Sequence, residues 1–383
     1  MNAISFHKLL LSTIFAVFLI LLYKNQASLL SSMNMAEYGE KYSKSQYILG
    51  DAHEHEISDS DLYIYAGFAY WQGQDPTTIN FEHPPAAKYF FGLSQALFGN
   101  SLILYVVLYP IILYLFYLLL KRVLMTQLAQ FVGVLTLATL PLFTQYFDKT
   151  VLDIPLLVFI LLFFLLLASK PSLQLRRFVA IGVILGVLMS IKYPIPFIFI
   201  PLGILTLDAF LLEKSGKITV AITSLYHKVS LLFTSVFTAG LVYLAGYSVY
   251  FYHNHSFFTF LQFEKYRFDW WFGDRATPKF IIFESLFIGK HESWWSPGSI
   301  STYAEWSMLL PILCLAATSL FFFAKKTKLL TLLYIFSTVS LIGFGLGSGS
   351  SLRYLLIIVP FWILITLSGI EALLLSHFNK ISK

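Results

Sequence analysis

The stretch Ser-Leu-Ile-Leu-Tyr-Val-Val-Leu-Tyr-Pro-Ile-Ile-Leu-Tyr-Leu-Phe-Tyr-Leu-Leu-Leu, residues 101–120, decides the fold class of this chain. It carries no charge and has the roughly 20 apolar residues that a helix needs to cross a bilayer. Comparable runs occupy residues 9–23, 128–147, 151–169, 177–191, 194–212, 229–252, 303–324, 329–347 and 354–376. The pattern predicts one all-α, polytopic membrane domain over residues 1–383, with about ten transmembrane helices and a range of nine to twelve.

Composition supports a membrane protein and argues against a soluble one. Hydrophobic residues make up 57% of the chain and charged residues 12%, whereas soluble domains average about 25% charged residues. A net charge of +6 would suggest nucleic acid only if the basic residues shared one solvated face. They are distributed among the short loops, so we expect no nucleic-acid partner. The short first run leaves a signal peptide as the alternative to a first span.

Basic residues predict the orientation, because cytoplasmic loops of membrane proteins are enriched in lysine and arginine. If the N-terminus is cytoplasmic, the basic residues on the same side are Lys8, Lys121, Arg122, Lys170, Arg176, Arg177, Lys214, Lys217, Lys228, Lys325, Lys326, Lys328, Lys380 and Lys383. Only Asp208, Glu213 and Glu371 among the acidic residues lie on or beside that side. We therefore expect an integral protein of the cell membrane with an acidic non-cytoplasmic side.

Two predicted external segments are long enough to form structure of their own. They cover residues 24–100 and 253–302, and we expect short amphipathic helices in both. The stretch from Ala86 to Gly99 is amphipathic, so it is expected to lie along the membrane surface or dip into it. The single cysteine, Cys314, lies in an apolar run and offers no disulfide to stabilise these segments.

The residues most suggestive of chemistry lie in the first external segment. Ser58-Asp59-Ser60-Asp61-Leu62-Tyr63 is followed by Gly73 and then by Phe81-Glu82-His83-Pro84-Pro85-Ala86-Ala87-Lys88-Tyr89. Carboxylates at the membrane surface can serve as a general base or bind a divalent cation. The double proline fixes the backbone direction, so it can hold Glu82 and His83 at a defined place.

This motif resembles the first external loop of the polyprenyl-phosphate-sugar-dependent membrane glycosyltransferases of the C-type fold. The likeness is greatest to the group of dolichyl-phosphate-mannose-protein mannosyltransferases and aminoarabinose transferases, with matches at Asp59, Tyr63, Gly73, His83, Pro84, Pro85 and Lys88. Later matches are the acidic turn Phe147–Pro155, the span-ending Ser190-Ile191-Lys192-Tyr193, and Leu352-Arg353-Tyr354 followed by Pro360. The sequence departs from the family at Ser60, where the family usually has glutamate.

The resemblance implies transfer of a sugar from a polyprenyl-phosphate donor to an acceptor on the non-cytoplasmic face, with inversion at the anomeric carbon. Transfer requires a base for the acceptor hydroxyl and cations for the departing phosphate. The implied catalytic residues are Asp59, Asp61 and Asp153, with Asp59 favoured as the base. The implied donor-phosphate residues are Lys88, Lys192 and Arg353, and the implied substrate-binding residues are Tyr63, Glu82, His83 and Asp148.

Several alternatives stay open at the level of sequence. Asp153 also fits a helix cap or first-turn acid at a positive helix end. Asp59 with Asp61 offers a divalent-cation site, although no firm metal or other cofactor is expected beyond the donor. A lipid or sugar transporter or flippase, or a catalytically inactive family member, would share the apolar pattern. Membrane lipid is an expected partner, and the acceptor is left open among glycan, lipid and protein.

Overall fold

The computed structural model describes residues 3–169, 174–192, 194–211, 218–274, 279–292, 298–347 and 351–381. Its first helices are α1 (Ala3–Lys24), α2 (Gln26–Leu30), α3 (Met35–Ser43), α4 (Gln46–Leu49), α5 (Asp59–Trp71), α6 (Ala86–Phe98), α7 (Leu102–Val123), α8 (Gln127–Thr139), α9 (Pro141–Thr144) and α10 (Asp153–Leu167). The later helices are α11 (Leu175–Ile191), α12 (Pro194–Leu211), α13 (Ile218–Gly246), α14 (Ser248–Tyr252), α15 (Phe257–Asp269), α16 (Ile281–Ile288), α17 (Leu309–Leu320), α18 (Lys328–Leu346) and α19 (Val359–Ile381). A 3-10 helix, Leu352–Ile357, precedes α19.

The prediction of a mostly helical membrane protein is confirmed. Within the described ranges, five segments are long and apolar enough to cross a membrane: Ser5–Lys24, Leu102–Val123, Tyr226–Gly246, Lys328–Leu346 and Val359–His377. Shorter apolar helices are Gln127–Thr139, Asp153–Leu167, Phe199–Asp208 and Leu309–Leu320. Each predicted apolar run overlaps at least one helix, but the number of spans and their orientation stay predictions. The all-α prediction is wrong in one place, because β1 (Lys290–Glu292) pairs antiparallel with β2 (Ile300–Thr302).

The helices gather the candidate motifs at one end of the bundle, here called the motif end. Asp153 begins α10, Lys192 directly follows α11, and Arg353 lies in the 3-10 helix before α19. The predicted cytoplasmic residues that are described lie at the opposite end, where Arg177 and Lys328 both contact Asp208. Lys170, Lys214, Lys217 and Lys383, together with Tyr193 of the span-ending motif, lie outside the described residues.

Helix α10 is at the centre of this arrangement. It packs against α7, α11 and the 3-10 helix, and its residues are almost all buried. A helix that is apolar on every side is surrounded either by protein or by lipid, and the run Ile154 to Leu167 is buried mostly by protein. The chain enters this helix at Asp153, so the packing of α10 fixes that carboxylate in the middle of the motif end.

Helices α5 and α6 cross in direct backbone contact. A Cβ atom placed on Gly67 would lie 2.2 Å from the Lys88 carbonyl oxygen, and one on Gly92 would lie 2.0 Å from the Gly67 carbonyl oxygen. Only glycine leaves room for backbones this close. A similar small-residue contact joins α11 to α13, where a Cβ on Gly182 would lie 2.6 Å from the Ser235 carbonyl oxygen.

The two long segments that were predicted to be external pack on each other at the motif end. His253 Nε2 lies 2.8 Å from the Gly73 carbonyl oxygen, and His255 Nε2 lies 3.0 Å from Asp75 Oδ2. Gly73 has a φ of +87°, which explains why glycine occupies this turn. The Trp271 indole donates to the Glu82 carbonyl oxygen at 3.1 Å. The second segment therefore covers the loop between α5 and α6.

Candidate active site

The site begins at the first turn of α5. The Ser58 side chain caps this helix by accepting a hydrogen bond from the Asp61 N–H at 3.1 Å. Asp59 is the first helical residue, where a carboxylate is stabilised by the positive end of the helix dipole. Its side chain keeps 40% of its surface exposed, so the cap presents a carboxylate that a substrate can reach.

Arg353 joins Asp59 to a second, buried carboxylate. Its guanidinium donates through Nη2 to Asp59 Oδ2, and its Nε lies 3.6 Å from Asp153 Oδ2. The Arg353 side chain is 12% exposed and that of Asp153 is 1% exposed. Since arginine offers several donors in a fixed plane, one side chain connects two carboxylates that belong to distant parts of the chain.

Lys192 completes the cluster from the far side of Asp153. Its ammonium donates to Asp153 Oδ1 at 2.5 Å and lies 3.9 Å from the centre of the Tyr354 ring. Burial lowers the pKa of Lys192 to about 8, although Asp153 favours the charged form. Asp59, Asp153, Lys192 and Arg353 are hereafter called the ion-pair cluster.

Ser60, where the sequence departs from the family, links α5 to the turn before α10. Its hydroxyl lies 3.1 Å from the Thr150 hydroxyl, which also donates to the Ser60 carbonyl oxygen at 3.0 Å. Thr150 is fully buried. These contacts hold the first turn of α5 beside the start of α10, so Asp59 and Asp153 are kept close together.

A cavity of about 600 Å³ opens beside Asp59. Asp61, predicted to be catalytic, and Asp148, predicted to bind substrate, line it together with Arg353. Asp61 faces Lys41 of α3 at 3.7 Å, whereas Asp59 faces Arg353. The two carboxylates of the acidic pair therefore turn toward different cations, an arrangement that does not converge on one metal ion.

The other predicted residues form a second group around the loop between α5 and α6. The Lys88 ammonium is buried and donates to the carbonyl oxygens of Asn80 at 2.7 Å and His83 at 2.6 Å. Burial lowers the pKa of Lys88 well below its usual value, and the nearby Glu82 carboxylate opposes this effect. Asn80 has a φ of +45°, a costly conformation that these hydrogen bonds help to hold. The geometry thus gives Lys88 a role in shaping the loop.

Tyr63 and His83 connect this second group to the ion-pair cluster. Their rings pack edge to face with centroids 6.2 Å apart, and His83 also lies 5.4 Å from the Trp271 ring. Burial raises the pKa of the Tyr63 phenol well above its usual value, and the Asp59 carboxylate raises it further. A neutral, buried tyrosine therefore lies beneath the exposed Asp59 carboxylate.

The fold is similar to that of known proteins. The family model described as dolichyl-phosphate-mannose-protein mannosyltransferase matches residues 82–243. The crystal structure of ArnT from Cupriavidus metallidurans in the apo state is similar to this chain. The match covers 82% of this chain and 55% of the ArnT chain, with a TM-score of 0.56 and 15% identity. The structure of the same ArnT bound to undecaprenyl phosphate is also similar. The match covers 97% of this chain and 60% of the ArnT chain, with a TM-score of 0.57 and 14% identity. This chain has the fold of ArnT.

The predicted resemblance is confirmed at the level of family likeness and fold. No curated protein matches the chain in sequence. The chain spans 55% to 60% of the length of the two ArnT structures, and the matched family range is less than half of the chain. Asp153 and Lys192 lie inside that range, whereas Asp59 and Arg353 lie outside it. The contacts of Arg353 with Asp59 and with Asp153 therefore come from the three-dimensional fold.

Two residues near the ion-pair cluster were missed by the sequence prediction. The Tyr146 hydroxyl donates to Glu305 Oε1. Tyr146 lines the cavity. Glu305 falls within a run predicted to be a span, residues 303–324, and a carboxylate inside an apolar run signals a functional or structural site. The helix in fact begins at Leu309.

Proposed function

We propose that this protein is a membrane glycosyltransferase that uses a polyprenyl-phosphate-linked sugar as donor. The observation that carries the proposal is the bridge from Asp59 through Arg353 to Asp153, with Lys192 on the same carboxylate. Support comes from the fold it shares with ArnT, for which a complex with undecaprenyl phosphate exists. Sugar transfer to a hydroxyl requires a base for the hydroxyl proton and a cation for the leaving phosphate. An accessible carboxylate next to a fixed cation provides both.

In this proposal Asp59 is the general base. The acceptor hydroxyl oxygen attacks the anomeric carbon, the bond from that carbon to the donor phosphate oxygen breaks, and Asp59 takes the hydroxyl proton. Asp59 is 40% exposed and lines the cavity. Asp153 is 1% exposed and already bonded to Lys192, so it is a positioning residue and Asp59 is the better base. Attack opposite the leaving phosphate inverts the anomeric centre.

Arg353 is the proposed contact for the donor phosphate. The phosphate gains negative charge as the sugar leaves, and a guanidinium can bind two of its oxygens. Arg353 is bonded to Asp59 when substrate is absent, so donor binding exchanges a carboxylate for a phosphate. Lys192 lies behind Asp153 and offsets its charge. With Lys192 charged, Asp153 competes less strongly for the Arg353 guanidinium.

The proposed location of this chemistry is the non-cytoplasmic face. The basic residues Lys121, Arg122, Arg177 and Lys328 belong to the end opposite the ion-pair cluster, and basic residues are enriched in cytoplasmic loops. Reporter fusions after residues 50 and 326 test this assignment. A cytoplasmic signal from a fusion after residue 50 contradicts it.

A transporter or flippase is the competing function. Such proteins place ionisable residues near the middle of their spans. In the described residues, the buried ion pairs of Asp153 and of Asp208 lie near helix ends. Asp153 is at the start of α10 and Asp208 is near the end of α12, which favours an enzyme. The inactive-member alternative depended on Ser60, and the Ser60–Thr150 contact gives that residue a structural role near an intact Asp59.

A transfer assay tests the proposal. Membranes with the wild-type protein, Asp59→Asn or Asp51→Asn are incubated with labelled polyprenyl-phosphate sugars, and transfer and donor hydrolysis are both measured with and without a chelator. Asp51 is an exposed carboxylate of the same external segment and does not line the cavity, so it is the matched control. We expect Asp59→Asn to lose about 10²-fold to 10⁴-fold in transfer rate. Equal rates for all three proteins, or no turnover by any, overturn the proposal.

A further inference from the structure

The cavity beside Asp59 lies on the side of this carboxylate away from the buried part of the ion-pair cluster. Asp59 and Arg353 line it, whereas Lys192 and Asp153 do not. Lys192 and Asp153 are 8% and 1% exposed and lie behind Arg353. In the proposed function the acceptor hydroxyl must reach Asp59, and the cavity opens directly onto this carboxylate.

Its walls carry groups that form hydrogen bonds. Hydroxyls come from the serines of the segment 28–32, from Ser58 and from two tyrosines, and carboxylates come from Glu37, Asp61 and Asp148. Unlike hydroxyls, ionised carboxylates only accept hydrogen bonds. Ligand O–H or N–H groups can pair with these carboxylates, beside which the apolar side chains of Met33, Ile64, Leu102 and Val151 also line the cavity. Apolar ligand surface placed against the carboxylates would remove water from them, which is costly.

The wall formed by residues 28–34 is fixed in place. The buried Asn100 side chain donates to the carbonyl oxygens of Ser28 at 2.9 Å, Leu29 at 3.2 Å and Ser31 at 2.8 Å. The Met33 N–H donates to the Gly99 carbonyl oxygen at 3.0 Å. These bonds tie the segment to the junction of α6 and α7. Hydrogen bonds thus fix the backbone of this segment, and its side chains line the cavity.

The balance of charge argues for a neutral ligand. Arg353 is paired with Asp59, and Lys41 lies 3.7 Å from Asp61 at the rim. Glu37, Asp148 and Lys149 are the further charged groups of the lining, so the two carboxylates exceed the one cation. A phosphorylated or carboxylated acceptor would be repelled by this excess. A neutral compound rich in hydroxyl groups matches it.

We propose that this cavity is the acceptor subsite and that it binds the hydroxyl-rich end of a neutral saccharide. The inference rests on the proposed function, since it takes Asp59 as the base that receives the proton of an acceptor hydroxyl. A saccharide supplies donors to Glu37 and Asp148 and acceptors to the serine hydroxyls in one compact ring. The volume of the cavity, about 600 Å³, is within the range of small-molecule sites.

The experiment uses the full-length protein in nanodiscs with a labelled polyprenyl-phosphate sugar that it turns over. The acceptor probes are methyl glycosides of neutral hexoses, a serine- and threonine-containing hexapeptide, and a long-chain alcohol. Glu37→Gln removes one carboxylate from the wall, and Ser32→Phe fills the space from an exposed position. Glu40→Gln and Ser43→Phe are the matched controls, because both lie on α3 but do not line the cavity.

We expect sugar transfer to the methyl glycosides and an increase of about tenfold in their KM for Glu37→Gln. Ser32→Phe is expected to abolish that transfer while donor hydrolysis by water continues, and the two controls are expected to behave as wild type. Preference for the peptide or the alcohol overturns the inference, as does an unchanged KM in Glu37→Gln. Loss of donor hydrolysis in Ser32→Phe assigns the cavity to the donor sugar and also overturns it. Absence of donor turnover in the wild type contradicts the proposed function itself.

Discussion

Arg353 donates a hydrogen bond to Asp59 across a separation of 294 residues. The contact joins the first turn of α5 to the 3-10 helix before α19. Because Asp153 lies 3.6 Å from the same guanidinium, the orientation of Asp59 depends on three segments that meet only in the folded chain. The following predictions test the consequences of this arrangement.

Asp59 and Asp153 are predicted to respond differently to the same substitution. Asp153→Asn leaves Lys192 and Arg353 buried without their shared carboxylate, and breaking a buried ion pair costs about 3–5 kcal/mol. Asp59→Asn removes a carboxylate that is 40% exposed, so its effect falls mainly on activity. Thermal unfolding in detergent, with transfer assays on the same samples, separates the two. Equal loss of stability in both variants contradicts this division.

Activity is predicted to depend on pH through Lys192. Burial lowers the pKa of Lys192 to about 8, so its charged form is present below that pH and is lost above it. Loss of the charge leaves Asp153 to compete for Arg353, which weakens donor binding. We expect kcat/KM for the donor to fall above about pH 8. The fall in kcat should be smaller, because bound phosphate favours the charged form of Lys192.

Lys192→Arg provides the check on this pH dependence. Arginine stays charged throughout the accessible pH range, so the alkaline fall in kcat/KM should disappear even if the maximal rate is lower. An unchanged alkaline fall in this variant means that another group titrates. Lys265→Arg is the control, because Lys265 is an exposed lysine paired with Asp269 on α15.

Glycine at positions 67 and 92 is predicted to be required for folding. A methyl group at either position would overlap a backbone carbonyl of the facing helix, and overpacking of this kind costs about 1–3 kcal/mol or more. Gly67→Ala should therefore lower the unfolding temperature. Gly203→Ala is the control, because a Cβ there meets no atom within 4 Å and alanine favours a helix. A similar unfolding temperature for both variants contradicts the prediction.

The hydrogen bond from Trp271 is predicted to hold the segment 253–274 on the loop between α5 and α6. Trp271→Phe removes the donor to the Glu82 carbonyl oxygen at a cost of about 1 kcal/mol. We expect faster limited proteolysis within residues 253–274 and a lower transfer rate. Trp71→Phe, at an exposed position on α5, should leave both unchanged. Equal proteolysis of the two variants means that other contacts suffice to hold the segment.

The sequence predicted most of the helices because long apolar runs leave few other structures available in a bilayer. The four residues of the ion-pair cluster were among the site residues that the family resemblance implied, and their roles stay predictions. The sequence did not predict that Lys88 would turn inward to the carbonyl oxygens of Asn80 and His83. A lysine beside a helix start gives no indication of whether its long side chain meets solvent or backbone.

The sequence by itself determined that this chain is a helical membrane protein and that its acidic motif resembles that of membrane glycosyltransferases. The tertiary structure alone decided that Asp59 faces Arg353 whereas Asp61 faces Lys41, and that Tyr146 meets Glu305. Hydrophobic patterning is a local property of the chain and can be read along it. Which ions pair depends on how α5, α10, α11 and the 3-10 helix pack, because electrostatic contacts in a buried site are set by distances between segments far apart in sequence.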